Sequence, residues 1–170
     1  MRLVKENFYA VDKDPKDLKA REGLMLAATL GGLAFSNASI CLVHGMSRPL
    51  GSNFKVPHGL SNAMLLPTIT EFSIDHAKSR YADCSRAGNF ALPDDDDNTA
   101  CEKLIKGLYK LNNDFDVPSM KTFGIDEKNF ENQLENMATD AEISGAPGLN
   151  PRVPSIKEMI NLYGEAWRAF

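Results

Sequence analysis

Apolar side chains recur at three- and four-residue steps along almost the whole chain, and alternating runs long enough for a strand are missing. The pattern predicts an all-α fold, a multi-helix bundle. The first helix is expected over Leu3 to Val11, before the loop Asp12 to Pro15. Asp14 reads as the cap of the next helix, with Pro15 at its first position. That helix carries Leu18, Met25, Ala28, Gly32 and Phe35 at steps of seven, three, four and three residues. A break is expected near Ser36-Asn37, whose side chains compete for backbone hydrogen bonds. A second buried helix should then run from about Ala38 toward Met46.

Arg48 to Asn53 reads as a loop, from its Pro, Gly and Asn content. Pro57 opens a further helix, and Pro67 kinks or ends it. Helices follow over Tyr81 to Ala87 and around Leu104 to Leu111, with the acidic loop Asp94 to Asp97 between them. Asp126 caps a helix bearing Phe130, Leu134 and Met137. Ser155 and Glu158 form a capping box for the last helix, striped by Ile156, Met159, Ile160, Tyr163 and Trp167.

From Gly23 to Val43 there is no charged side chain, a run of 21 residues that is long enough to span a bilayer. Thr29, Gly31, Gly32, Ser36, Asn37 and Ser39 interrupt it, and no aromatic belt or basic flank accompanies it. The stretch is therefore expected to be a helix buried on all sides at the centre of the fold, not a membrane span.

At 170 residues the chain has the size of one domain, and its 43% hydrophobic and 25% charged content is that of a globule. A net charge of −4 offers no positive field for phosphates, which argues against nucleic-acid binding. The three cysteines, Cys41, Cys84 and Cys101, lack C-x-x-C spacing and suit reduced thiols in the cytoplasm. The first residues have no apolar signal core, so no secretion is expected.

Chemistry concentrates between Val43 and Ala63, where two of the three histidines, His44 and His58, fall 14 residues apart. His58 follows Pro57 in the first turn of a helix, whose positive end favours the neutral, metal-binding imidazole. His44 is expected toward the end of a buried helix, and the returning loop can bring the two rings together. A hydrogen-bonded core or capping role is the plain alternative for each. Two ligands fall short of the three protein groups of a catalytic zinc or ferrous site, and no Asp or Glu lies between Gly23 and Thr70. Cys41 stands three residues before His44, but a small thiol in an apolar helix reads as packing.

Phe35 to Pro67 resembles the signature of the iron-containing (group III) alcohol dehydrogenases. That pattern has Gly-x-x-Phe, then Val-His-Ala/Gly-Met-x-His-x-Leu-Gly, then Pro-His-Gly-x-x-Asn-Ala-x-x-Leu-Pro. The matching residues are Gly32 and Phe35, Val43 to Met46, Leu50-Gly51, Pro57 to Gly59, Asn62-Ala63 and Leu66-Pro67. Met137-Ala138, Asp140-Ala141, Asn150 to Arg152 and Leu162-Tyr163 resemble its later segments.

The resemblance implies the carboxy-terminal helical half of a two-domain enzyme, with residues 1–170 forming a single metal-binding domain like that of dehydroquinate synthase. It implies Fe2+ or Zn2+ held by one Asp and three His, of which His44 and His58 match the third and fourth. The first two belong to an Asp-x-x-x-His motif that does not precede His44 here. NAD or NADP is implied for an amino-terminal nucleotide domain absent from this chain, so the chain alone is expected to be inactive and to hold no cofactor-binding or further catalytic residue. Phe35 matches a position facing the substrate channel. Arg48 stands where the family commonly has a second His lining the site near the nicotinamide. The implied substrate is a small alcohol or aldehyde, and a homo-oligomer is expected. The rival is a non-catalytic helical module that associates with a partner or with itself.

Overall fold

The computed structural model describes residues 1–169, and these hold eight α-helices, one 3₁₀ turn and no strand. The helices are α1 (Arg2–Lys13), α2 (Leu18–Ala38), α3 (Leu42–Phe54), α4 (His58–Ile74), α5 (Lys78–Ala87), α6 (Asp97–Asp114), α7 (Glu127–Ile143) and α8 (Ile156–Arg168). The 3₁₀ turn Ala146–Leu149 lies between α7 and α8. The fold is all-α, a multi-helix bundle, as the three- and four-residue spacing predicts. None of the described helices is by itself long and apolar enough to cross a membrane. Contacts divide the described residues into two compact units, Met1–Ser39 with Lys78–Leu104, and Ile40–Ala77 with the residues from Ile105 onward.

In the first unit, α1 and α2 pack where Gly23 meets Asn7. A Cβ on Gly23 would come within 2.5 Å of the Asn7 amide, so glycine permits this close approach. The start of α2 corrects the sequence reading. Asp17, not Asp14, is its cap, accepting from the Ala20 N–H at 3.0 Å, while Asp14 closes α1. The second correction is larger. Helix α2, which carries most of the uncharged stretch, is not buried on all sides: only Ala20 is buried, Leu18 and Met25 are 80% and 71% exposed, and Leu26, Leu30, Leu33 and Phe35 are exposed too. Composition identifies an apolar helix, but it says nothing of what covers it.

The acidic loop of this unit is occupied by local bonds. Asp96 accepts from the backbone of Asn98 and Thr99 and from the Thr99 hydroxyl, which starts α6. Asp97 pairs with Arg86 at 2.6 Å and Asp95 with Lys103 at 2.6 Å. Backbone and hydroxyl bonds from Thr99 hold the Asp96 carboxyl below its ordinary range, and the Lys103 ammonium does the same for Asp95.

The second unit holds a core of Leu42, Met46 and Leu50 from α3, Met64, Leu65 and Ile69 from α4, Phe130, Met137 and Ala141 from α7, and Met159, Leu162 and Tyr163 from α8. Both capping predictions hold here. Asp126 accepts from the Asn129 N–H, and Ser155 and Glu158 make a reciprocal capping box. Phe130 stacks on Trp167 with ring centroids 4.4 Å apart.

Two prolines lie inside helices of this unit. The stretch Arg48 to Asn53 is not a loop: α3 runs through it to Phe54. Pro49 removes the donor that would pair with the Gly45 carbonyl, but its ring is buried, as are Met46, Ser47 and Leu50 around it. Gly45 packs closely as well, since a Cβ there would lie 3.0 Å from the Pro147 ring. The buried Tyr163 hydroxyl donates to the neighbouring Met46 carbonyl at 2.6 Å and ties α8 to this turn. Burial pushes the Tyr163 phenol far above its ordinary value, so it stays protonated as a donor.

Pro67 does not end α4. It deprives the Ala63 carbonyl of its helical N–H, and the Asn112 side chain from α6 supplies a substitute donor at 2.8 Å. The helix thus stays continuous from His58 into the core.

Candidate functional site

His44 and His58 meet at the amino-terminal ends of adjacent helices. α3 begins at Leu42, so His44 sits in its first turn, and not toward the end of a helix as the sequence suggested. α4 begins at His58 itself, directly after Pro57, which stands at the cap position. The two rings come together with centroids 5.3 Å apart and planes tilted by 51°. His44 is half-buried and His58 exposed. Burial is the largest cause holding the His44 imidazole below its ordinary value, followed by the nearby His58 ring and the Arg48 guanidinium. Near neutral pH the His44 ring therefore presents a lone pair and not a positive charge.

Arg48 lies one helical turn beyond His44 on α3 and is exposed. Its charge reaches His44, which is the cause just described. Phe35 belongs to the first unit, where its ring is about half exposed on α2. Cys41 is the cap residue of α3, outside the helix, so it shares no helical face with His44, and it is half-buried.

Asn62, quoted in the motif but given no role by the sequence, belongs to the site. It lies one turn after His58 on α4 and places its amide nitrogen 3.1 Å from His58 Nε2 and 3.0 Å from the His58 carbonyl. Its own Oδ1 is buried with no partner. The signal was available in the four-residue spacing, which puts both side chains on one helix face.

The donor chemistry fits a transition metal in kind. Imidazoles suit zinc and iron, and two of them converge here. The number does not complete a shell: no group of three or more His, Cys, Asp or Glu side chains that could hold an ion occurs among the described residues. The pair supplies two imidazoles where a catalytic zinc or ferrous site needs at least three protein groups.

Comparison with known proteins gives this pair of histidines a context. The model of the Fe-containing alcohol dehydrogenase family, C-terminal part, matches residues 1–167. The bifunctional aldehyde-alcohol dehydrogenase of Escherichia coli is 31% identical over 94% of this chain, which covers 20% of that protein. Alcohol dehydrogenase 4 of Saccharomyces cerevisiae is 36% identical over 82% of this chain and 36% of its own length. The solved iron-containing alcohol dehydrogenase of Thermococcus thioreducens superposes with a TM-score of 0.86 at 32% identity, over 99% of this chain and 42% of that one. The chain thus spans between a fifth and about two fifths of the length of these relatives.

Proposed function

The chain belongs to the Fe-containing alcohol dehydrogenase family, matching its carboxy-terminal part, and from this premise we propose that its residues 1–170 serve as the metal-binding, substrate-site domain of an NAD(P)-dependent oxidoreductase acting on a small alcohol or aldehyde. The observation that carries the reading is the convergence of the His44 and His58 rings, 5.3 Å apart, at two helix amino termini. His44 and His58 would hold Fe2+ or Zn2+ through neutral imidazole nitrogens, with an Asp and a further His supplied from elsewhere. When bound, the cation supplies Lewis-acid charge that polarises the alcohol or carbonyl oxygen beside the nicotinamide. Arg48 would add positive potential next to His44, suited to a cofactor phosphate or a substrate carboxylate. Phe35 would contribute an apolar wall to the substrate channel. The nucleotide would be bound by a part of the enzyme outside these residues.

The test joins the amino-terminal half of the Thermococcus thioreducens enzyme ahead of residue 1 and measures bound metal and alcohol oxidation. His44→Ala and His58→Ala should each abolish both together. Arg48→Ala should keep its metal and change KM or substrate preference. Full metal content in His58→Ala would refute the assignment at its most specific motif, and metal loss in Arg48→Ala would refute the outer position given to Arg48.

The exposed apolar face of α2 favours a second reading, a helical module that associates with itself. Sedimentation should then show a dimer or larger species that shifts toward monomer when Leu26 and Leu33 are both changed to Lys. A clean monomer over a wide concentration range argues against this.

A further inference from the structure

We infer that Asn62 is a positioning residue, which fixes His58 in the neutral tautomer that carries its proton on Nδ1 and leaves the Nε2 lone pair bare. The inference deepens, and for its purpose rests on, the reading of His58 as a metal ligand. The bonds themselves do not depend on that reading.

The argument begins with donor and acceptor roles. The Asn62 amide nitrogen carries two hydrogens and accepts nothing. One hydrogen points to the His58 carbonyl at 3.0 Å, the other to His58 Nε2 at 3.1 Å. An Nε2 that faces a donor must itself be the acceptor, so the ring proton belongs on Nδ1.

The orientation of the amide is set by the same contacts. Turned over, Asn62 would press its oxygen against the His58 carbonyl oxygen, and it would send a donor pair into the buried position where Oδ1 now has no partner. Such a turn loses the bond to the His58 carbonyl and satisfies nothing at the buried position; it keeps the ring contact only by moving the ring proton to Nε2. Oδ1 therefore stays unpaired, at a cost typical of a buried acceptor left without hydrogen. Buried polar groups with one unfilled side are uncommon, and they call for a reason other than packing. Holding the imidazole of a ligand is such a reason. Metal-binding histidines are ordinarily fixed in ring orientation and tautomer by a bond to a neighbouring group. Asn62 does this from the ligand side, acting as a place-holder on Nε2 that a cation would displace. The amide would keep its second anchor on the His58 carbonyl throughout.

The test uses the full 170-residue chain with 15N-labelled histidine, where the three rings His44, His58 and His76 are resolved by long-range proton–nitrogen correlation. The spectra are recorded at about pH 8. In the unsubstituted protein the His58 Nε2 signal should fall in the range of a bare nitrogen and Nδ1 in that of an N–H. Asn62→Leu should lose this pattern, and Asn62→Asp, which sets an acceptor against Nε2, should reverse it. His76, exposed in the turn after α4, is the control that should not change. A His58 that carries its proton on Nε2 in the unsubstituted protein, or an unchanged pattern in both variants, overturns the inference. If Asn62→Leu fails to fold, the near-isosteric Asn62→Asp decides alone. Zinc then separates the two levels. In the fusion that carries the amino-terminal half, added Zn2+ should shift His44 and His58 and move the Asn62 side-chain amide signals as Nε2 is vacated. Zinc that leaves both rings untouched, with the tautomer as stated, overturns the metal reading and not the positioning. Zinc that shifts His58 while the Asn62 amide stays fixed overturns the displacement.

Discussion

Removing the Asn112 amide should destabilise the second unit by re-exposing the gap that Pro67 makes in α4. The perturbation is Asn112→Ala. Asn112 is 8% exposed, and its Nδ2 donates at 2.8 Å to the Ala63 carbonyl, the acceptor that the missing Pro67 N–H would otherwise fill. A net hydrogen bond contributes about 1 kcal/mol, and a buried acceptor left without any donor costs about 1–3 kcal/mol. The substitution should therefore cost about 2 kcal/mol. Urea unfolding followed by the single tryptophan, Trp167, reports on the right unit, because that ring stacks on core residue Phe130. The midpoint should fall with little change in slope. The decisive measurement is the double-mutant cycle with Pro67→Ala, which returns an N–H to position 67. In that background Asn112→Ala should cost less by at least about 1 kcal/mol, because Ala63 regains a helical donor. An equal cost in both backgrounds refutes the argument: Asn112 would then act by packing alone and not by repairing the proline.

Two further outcomes follow from charged and capping groups. Replacing Arg48 by Gln removes one of the causes that hold the His44 imidazole down, so its titration midpoint should move up toward the ordinary value. Because the folded value is depressed, the stability His44 contributes is present above the ordinary histidine pKa of about 6.5 and lost as pH falls through the folded value. Arg48→Gln should therefore shrink that acid-side loss, and an unmoved His44 midpoint in NMR titration would contradict the electrostatic account. Ser155→Ala removes the hydroxyl half of the α8 capping box and should cost about 1 kcal/mol at neutral pH. Bonds from the Ser155 backbone and hydroxyl, then from Arg152, hold the Glu158 carboxyl below its ordinary range. Its contribution is thus present above the ordinary carboxylate range and lost as pH falls through the depressed value, so the gap between the two proteins should narrow in acid urea titrations.

The fold class was legible because helical spacing is local, and the same holds for the caps at Asp126 and Ser155, where one side chain and one nearby N–H decide the matter. Arg48 to Asn53 was misread because Pro49, Gly51 and Asn53 are locally turn-forming. Burial of Pro49 and Leu50 and the bond from Tyr163, 117 residues away, outweigh that preference. No local rule could reveal the repair of Pro67 by Asn112, which spans 49 residues. At the site, the meeting of His44 and His58 was anticipated from a loop returning between them, although most of that stretch is helix α3. The position of His44 within its helix was not, since it depended on where α3 begins, and Asn62 was overlooked because a motif match gives it no chemistry.

Helix α2 has a thermodynamic consequence of its own. Gly31 and Gly32 each weaken a helix interior by about 1 kcal/mol relative to alanine. The side chains of Thr29, Ser36 and Asn37 turn back to the carbonyls of Met25, Gly32 and Leu33, bonds that add little to helix strength. With its large apolar side chains in solvent, this element gains little from burial to offset those losses. Its amides belong at the low end of the protection scale and should exchange with deuterium well before those of α3, α4 and α8. Whatever comes to lie over Leu26, Leu30 and Leu33 would thus do more than bind. It would complete the folding of α2, and part of its binding free energy would be read out as slowed exchange along that helix.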